Sequence, residues 1–137
     1  DRLVTELDLQ DQIDQYGARD LLLWLELVGS DGNRRAKNLV TLVRPKHLAL
    51  QEPQITLSFT KQQGLVTAVT LAAQTPALWV WLEAEEDGVR FSDNFFHLRP
   101  GQPLTVTVRG AGPETAVGLR ARSLIDTYRN HEPWLVP

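Results

Sequence analysis

Apolar and polar positions alternate with a period of two along most of the chain, which is the spacing of a half-buried β-strand. The clearest case begins at Leu21, where every second residue as far as Leu27 is a leucine. The pattern predicts about eight strands, at 3–9, 21–28, 39–43, 55–60, 65–71, 78–82, 104–109 and 117–124. Strands of this length and spacing are typical of a sandwich of two antiparallel sheets.

The stretches between these strands carry residues that suit tight turns. Ser30–Asn33, Gln62–Gly64 and Glu86–Gly88 each place Gly or Asn where a hairpin needs a positive φ. No stretch shows a sustained helical stripe, and Leu9–Tyr16, which Gly17 interrupts, is predicted to be a loop or a fraying turn. The fold class is therefore predicted to be all-β, an immunoglobulin-like antiparallel sandwich. A jelly roll is the alternative that the pattern leaves open.

Size and charge narrow the classes of function. The 137 residues suit a single domain over 1–137, and 14 basic against 17 acidic residues predict no nucleic-acid partner. The longest apolar runs fall far short of the roughly 20 residues of a spanning helix, so no membrane partner is predicted. The absence of cysteine excludes disulfides and leaves the compartment undecided. Because the chain begins at Asp1 and has no methionine, we expect a fragment of a larger protein.

A polar triplet, Ser92, Asp93 and Asn94, lies between aromatic residues on both sides. Asp and Asn side chains bond to nearby backbone and tolerate left-handed conformations, so the triplet is interpreted as a structural turn that Phe91, Phe95 and Phe96 anchor in apolar surroundings. The alternative makes Asp93 a catalytic acid or a metal ligand. A lone carboxylate with no second one at a readable spacing is weak evidence for either role.

No combination of residues predicts a catalytic site, a cofactor or a metal. The histidines at positions 47, 97 and 131 are far apart and lack the spacing of zinc ligands. The aspartates at positions 8, 11 and 14 lack the central glycine of a calcium loop, so they favour a solvated acidic face. No nucleophile elbow, phosphate loop or dinucleotide fingerprint occurs in the sequence.

The tryptophans are the candidates for a binding surface. Alternation puts Trp79 and Trp81 on one face of a predicted strand whose other face is aliphatic. One of them could be the core residue of an immunoglobulin-like sandwich, or the pair could dock on a neighbouring domain or stack on a sugar. A core or domain contact is favoured, because a sugar site also needs polar groups nearby. Trp134, in the C-terminal tail of residues 129–137, is the third candidate for a domain interface or sugar stacking.

Three consecutive motifs resemble the C-terminal immunoglobulin-like domain of β-mannosidase-type enzymes, in glycoside hydrolase family two. They are Val80-Trp81-Leu82, the run from Arg90 to Phe96, and Leu98-Arg99-Pro100-Gly101. Val89 is an additional residue where the family commonly runs from Gly straight into Arg. Val43–Leu48 is similar to the family's segment before a strand, and Arg122–Tyr128 is similar to its closing strand. The resemblance thus extends over residues 20–128.

The resemblance implies a role outside catalysis. Enzymes of this family carry two catalytic glutamates, an acid/base and a nucleophile, on a (β/α)₈ barrel that precedes this domain. The intact protein is then expected to be an exo-acting retaining glycosidase that removes terminal β-mannose, or β-glucosamine in a related branch. This chain would be its non-catalytic C-terminal accessory domain, with other domains of the same chain as partners.

Two other classes of function stay open. One is a carbohydrate-binding module that uses exposed aromatic residues, and the other is an adhesin-like or receptor immunoglobulin domain. Weak contact with a glycan and homodimerisation of the isolated fragment are further expectations, since an uncovered apolar patch can bind either a sugar or a second copy.

Overall fold

The computed structural model describes residues 2–61, 64, 66–110 and 118–129. Contacts divide the chain into two compact units, Asp1–Ala49 and Leu50–Pro137, and each is described by itself. The assignment of residues 1–137 to a single domain stays a prediction.

The first unit contains a two-stranded antiparallel hairpin. Strand β1 (Leu22–Val28) pairs with strand β2 (Arg34–Thr41). The turn between them lies where the sequence predicts it, and Gly32 supplies the positive φ, 77°. Asp31 accepts hydrogen bonds from the side chain and the N–H of Asn33, which hold the pKa of Asp31 below its usual value. The unit also has helix α1 (Gln10–Tyr16) and 3₁₀ turns at Ala18–Asp20 and Pro45–His47.

The second unit is a sandwich of two antiparallel sheets. Its strands are β3 (Thr56–Lys61), β4 (Val66–Ala72), β5 (Ala77–Glu83), β6 (Arg90–Phe91), β7 (Phe96–Leu98), β8 (Leu104–Arg109) and β9 (Arg120–Arg122). Helix α2 (Leu124–Arg129) follows the last strand. One sheet has the order β3-β4-β8-β6 and the other β7-β5-β9. The predicted all-β antiparallel sandwich is confirmed.

The core lies between the two sheets. Alternate residues of β4 and β8 point inward from one sheet, and residues of β5 and β7 point inward from the other. The buried cluster includes Val69, Leu71, Val80, Leu82, Phe96, Leu98, Val106 and Val108. Each large aliphatic or aromatic side chain buried here contributes about 1.5–3 kcal/mol relative to its exposed state. Burial of these alternate residues is what makes the period-two pattern a reliable predictor of these strands.

Two predictions for the N-terminal residues are wrong. Residues 3–9 form no strand, and Leu3 and Leu7 are exposed, because alternation specifies a face without supplying a partner strand. Residues 10–16, predicted as a loop, form α1. Asp8 accepts the N–H of Gln10 at its start, and Gly17, with φ 84°, donates its N–H to Ile13 at its end.

The C-terminal prediction is correct only in part. Strand β9 ends at Arg122, whereas the predicted strand continues to residue 124 and the similarity to a closing strand continues to Tyr128. Buried Ser123 donates its N–H to Asp126 Oδ2 at 2.7 Å, and the N–H of Asp126 donates to the carbonyl of Ser123 at 3.0 Å. The Asp126 carboxylate thus caps the N–H of Ser123 as in one half of a capping box, and the backbone bond closes the first turn, so the chain begins helix α2 where the strand was expected.

A β-bulge interrupts strand β5. Leu78 and Trp79 together lie opposite the one residue His97 of β7. Trp79 has a φ of 46°, which is unusual for a bulky side chain and costs about 1–3 kcal/mol. Its N–H donates to Nδ1 of His97 at 3.1 Å, and the two rings meet edge to face with centroids 4.8 Å apart. His97 therefore holds the bulge through both a hydrogen bond and a ring contact with Trp79.

The polar triplet lies where the chain leaves one sheet for the other, between β6 and β7. Ser92 exchanges two hydrogen bonds of 2.9 Å with the backbone of Thr107, so it extends the pairing of β6 with β8. Asn94 Oδ1 accepts the N–H of Leu82 at 2.7 Å, and its Nδ2 donates to the Leu82 carbonyl at 3.4 Å. Asp93 accepts the N–H of Asn94. The triplet thus attaches the crossing segment to both sheets.

Replacing Asn94 tests this attachment. Asn94→Ala leaves the N–H and carbonyl of buried Leu82 without these partners, so we expect a loss of about 1–3 kcal/mol in the free energy of unfolding. Asp93→Ala is the matched control, and we expect it to cost less than about 0.5 kcal/mol because it removes an exposed local bond. Urea unfolding measures both values. Equal losses in the two variants would contradict the attachment.

Replacing His97 tests the bulge. His97→Ala removes the acceptor for the Trp79 N–H and should cost about 1–3 kcal/mol in unfolding free energy. His97→Asn should recover part of this loss, because its Oδ1 can accept from the same N–H. His47→Ala, at an exposed histidine of the other unit, should change stability by less than about 0.5 kcal/mol. If His97→Asn were as unstable as His97→Ala, the hydrogen bond would not be what holds the bulge.

Candidate functional site

The outer face of the sheet β7-β5-β9 carries the tryptophans predicted from alternation. Trp81 lies opposite Arg122 of β9, and Glu83 lies opposite Arg120, so these four side chains share the face that points away from the core. Leu82, between them, is buried in the core. Trp79 and Phe95 lie beside them. We call this surface the aromatic face, comprising Trp79, Trp81, Glu83, Phe95, Arg120 and Arg122.

Phe95 is the most exposed aromatic residue of this surface. It is 65% exposed, and its ring stacks on Trp81 with centroids 6.3 Å apart and planes 26° apart. The backbone of Phe95 has a φ of 61°, a left-handed value that a phenylalanine seldom adopts. Asn94 is tied to β5 on one side of it and Phe96 is buried on the other, so the strained residue between them presents its ring to solvent.

The charges of the aromatic face are paired within the chain. Trp81 Nε1–H donates to one oxygen of Glu83 at 2.9 Å, and Arg122 Nε donates to the other at 2.9 Å. The hydrogen bond from Trp81 first, and that from Arg122 second, lower the pKa of Glu83 below its usual value. Glu83 is therefore ionised at neutral pH, whereas a general acid needs a raised pKa. Arg120 makes a similar 2.9 Å ion pair with Glu85.

The remaining candidates do not join this face. Trp134 and His131 lie outside the described residues. Asp8 and Asp14 lie in the first unit. Asp8 accepts a hydrogen bond from the backbone N–H of Gln10, and Asp14 accepts one from the side-chain amide of Gln10. Across the described part of the chain, no group of three or more His, Asp or Glu side chains could hold a metal. No described helix is long and apolar enough to cross a bilayer.

The sequence reasoning missed two parts of the aromatic face. Phe95 was expected to anchor the turn in apolar surroundings, but it is exposed, because its left-handed backbone and the fixed positions of Asn94 and Phe96 on either side turn its ring outward. The pairing of Glu83 with Arg122 depends on the register of β5 against β9, which no local pattern encodes. The available signal was the position of Glu83 two residues after Trp81, which puts both on one face of a strand.

Comparisons with known proteins agree with this fold. The Ig_mannosidase family model, an Ig-fold domain, matches residues 50–127. Beta-mannosidase B of Thermothelomyces thermophilus is 34% identical over 104 residues, which cover 72% of this chain. The crystal structure of a β-D-mannosidase from Dictyoglomus thermophilum has the same fold over 74% of the chain, with a TM-score of 0.61 and 16% identity.

The matched region is a small part of each relative. It covers 11% of the Thermothelomyces protein and 13% of the Dictyoglomus chain. The residues that the family model matches include the sandwich, the sheet crossing and the aromatic face. The predicted immunoglobulin-like class is therefore confirmed, and the chain belongs to the family of Ig-fold domains found in β-mannosidases.

Proposed function

We propose that this chain is a non-catalytic accessory domain of a β-mannosidase-like exo-glycosidase, and that it supports the catalytic part structurally. The intact enzyme would hydrolyse terminal β-mannosides. The observation that carries the proposal is the aromatic face: a strained, exposed Phe95 stacked on Trp81, in a domain whose β-mannosidase relative is far longer than the matched region.

The composition of the aromatic face suits contact with another protein surface. Tryptophan and arginine are enriched among the residues that dominate binding energy at protein interfaces. The partner domain would cover Phe95 and the exposed part of Trp81, and complete burial of one such side chain contributes about 1.5–3 kcal/mol. Because Glu83 and Arg122 already neutralise each other, a partner could cover them without leaving an unpaired charge.

Catalysis is assigned to the part of the enzyme outside this chain. In the proposed enzyme, a general acid/base glutamate and a nucleophilic glutamate act on the retaining pathway, and they lie on the preceding barrel. The carboxylate that accepts the indole N–H of Trp81 is Glu83, and its hydrogen bonds with Trp81 and Arg122 hold its pKa below the usual value. It therefore suits a structural pairing better than proton donation to a leaving group.

The carbohydrate-binding alternative receives less support from this geometry. A sugar site combines an aromatic platform with polar groups that orient hydroxyls. Here the indole N–H of Trp81 and both oxygens of Glu83 already have partners within the chain. Association of two isolated chains through the same exposed rings would be a consequence of removing the partner domain, and not a function of its own.

A double variant of the intact enzyme tests the proposal. Trp81→Ser with Phe95→Ser removes the two rings that would anchor the domain, and a loss of one or two kcal/mol of docking energy shortens the half-life of activity at elevated temperature about 5- to 30-fold. The KM for a nitrophenyl β-mannoside at 25 °C should stay the same. Activity measured before and after heating gives both quantities.

Phe59→Ser provides the matched control, because Phe59 is an exposed phenylalanine, 40% accessible, on the opposite sheet. Its half-life should equal that of the unmodified enzyme. A double variant no different from Phe59→Ser would contradict the docking role. A raised KM with an unchanged half-life, or binding of manno-oligosaccharides that Trp81→Ser abolishes in calorimetry, would favour the carbohydrate-binding alternative. Hydrolysis by residues 1–137 alone, lost on replacing one of their carboxylates, would refute the accessory role.

A further inference from the structure

The outer face of the sheet β3-β4-β8-β6 carries two arginines directly opposite each other. Arg90 of β6 pairs in register with Arg109 of β8. Their neighbours Phe91 and Val108 pack toward the core, so both arginines point away from it, and both are exposed. Like charges at directly opposite positions of two strands destabilise a sheet. The pair is therefore unfavourable for the domain on its own.

No acidic side chain neutralises these two charges within the part of the chain that the structure describes. The arginines of β9, by contrast, each make a 2.9 Å ion pair with a glutamate. Asp87, the acid nearest to Arg90 in sequence, forms no ion pair with Arg90 or Arg109. The two guanidinium groups are consequently available to an acid that comes from elsewhere.

The surface next to the pair offers neutral hydrogen-bond donors. Ser92 and Thr107 each lie two residues from one of the arginines, on the same side of the sheet, and Ser92 Oγ accepts the N–H of Thr107 at 2.9 Å. We call Arg90, Ser92, Thr107 and Arg109 the arginine face. The next outward positions of the sheet have small side chains and no acid, and they are Ser58, Thr60, Ala68, Thr70 and Thr105.

The arginine face suits a carboxylate that is carried by another protein surface. Guanidinium groups bind carboxylates through parallel N–H bonds, and the Cβ atoms of directly opposite residues lie only about 4.5–5.5 Å apart, so one carboxylate can accept from both arginines. An ion pair that stays open to water contributes little. A covering protein surface excludes that water, and the weakly hydrated guanidinium group suits ion pairs at such interfaces.

The relatives indicate where that carboxylate lies. The matched region covers 11% of the Thermothelomyces protein and 13% of the Dictyoglomus chain. An acidic segment on the same polypeptide has a high effective concentration, so a small contact is enough to hold it. The small side chains beside the arginines allow such a segment to approach the sheet closely.

We propose that the arginine face is a docking surface for an acidic segment of the same polypeptide outside residues 1–137, and that one carboxylate of this segment lies between Arg90 and Arg109. The hydroxyls of Ser92 and Thr107 provide neutral donors beside that ion pair. The inference requires that the polypeptide is longer than the present chain. It depends neither on the aromatic face, which lies on the other sheet, nor on the proposed activity.

Arginine labelling of the full-length protein with p-hydroxyphenylglyoxal, measured by mass spectrometry, tests the proposal because the reagent modifies accessible guanidinium groups. We expect Arg90 and Arg109 to react at least about tenfold more slowly in the folded protein than in the urea-unfolded protein, as befits close charge pairs at an interface.

Arg90→Glu distinguishes a docked face from an open one. On an open face the introduced carboxylate pairs with Arg109, and labelling of Arg109 stays the same or falls. On a docked face it repels the partner's carboxylate, and labelling of Arg109 should rise at least about tenfold. Arg99→Glu is the matched control, because Arg99 is an exposed arginine of the same unit that lies outside the arginine face. It should leave the labelling of Arg109 unchanged.

Four results would overturn the proposal. Two are labelling of Arg90 and Arg109 in the folded protein at the unfolded rate, and slow labelling of Arg109 that Arg90→Glu does not raise. The third is slow labelling that is lost on dilution together with a dimer seen by sedimentation, which would make a second copy the partner. The fourth is slow labelling only in the presence of added sulfate or manno-oligosaccharide, which would make a small ligand the partner. The Trp81/Phe95 test measures a half-life after changes on the other sheet, so the two proposals can fail separately.

Discussion

The bulge in β5 is the constraint on which the rest of the second unit depends. Ala77 and Val80 are three residues apart, yet both are buried in the same core, so the strand must absorb one extra residue between them. Trp79 accommodates the extra residue by adopting a left-handed backbone conformation. Nδ1 of His97 accepts the N–H of Trp79, which the bulge takes out of the strand pairing. From Val80 onward the alternation resumes, which turns Leu82 inward and Trp81 outward.

The sheet crossing follows from the same register. Continuing the pairing of β5 with β7 by two residues beyond Val80 and Phe96 brings position 94 opposite Leu82. There the side chain of Asn94 bonds to the backbone of Leu82, in place of a further strand residue. The chain is consequently fixed on both sides of Phe95, whose ring has Trp81 as its neighbour. The exposed stack is thus a product of strand register, a bulge and one amide side chain acting together.

These dependencies explain what could be predicted from sequence. Strands β4, β5 and β8 were predictable because burial of every second residue produces a visible alternation. Residues 3–9 show the same alternation without forming a strand. Alternation determines which side chains share a face, but a strand also needs a neighbouring strand to pair with. Helix α2 could have been found from Ser123 and Asp126, which have the spacing of a capping box. The common face of Trp79 and Trp81 was predicted, but the place of Phe95 was not, because it depends on a φ of 61° and on contacts distant in sequence.

The central claim is that the intact protein covers the aromatic face, and side-chain oxidation tests this most directly. Hydroxyl-radical footprinting of residues 1–137 and of the full-length protein would give the oxidation rates of Trp81 and Phe95 in each. The account predicts that both rings react several times more slowly in the full-length protein, because the partner domain excludes solvent from them. Equal rates in the two proteins would show that the face remains open, and would contradict the docking role.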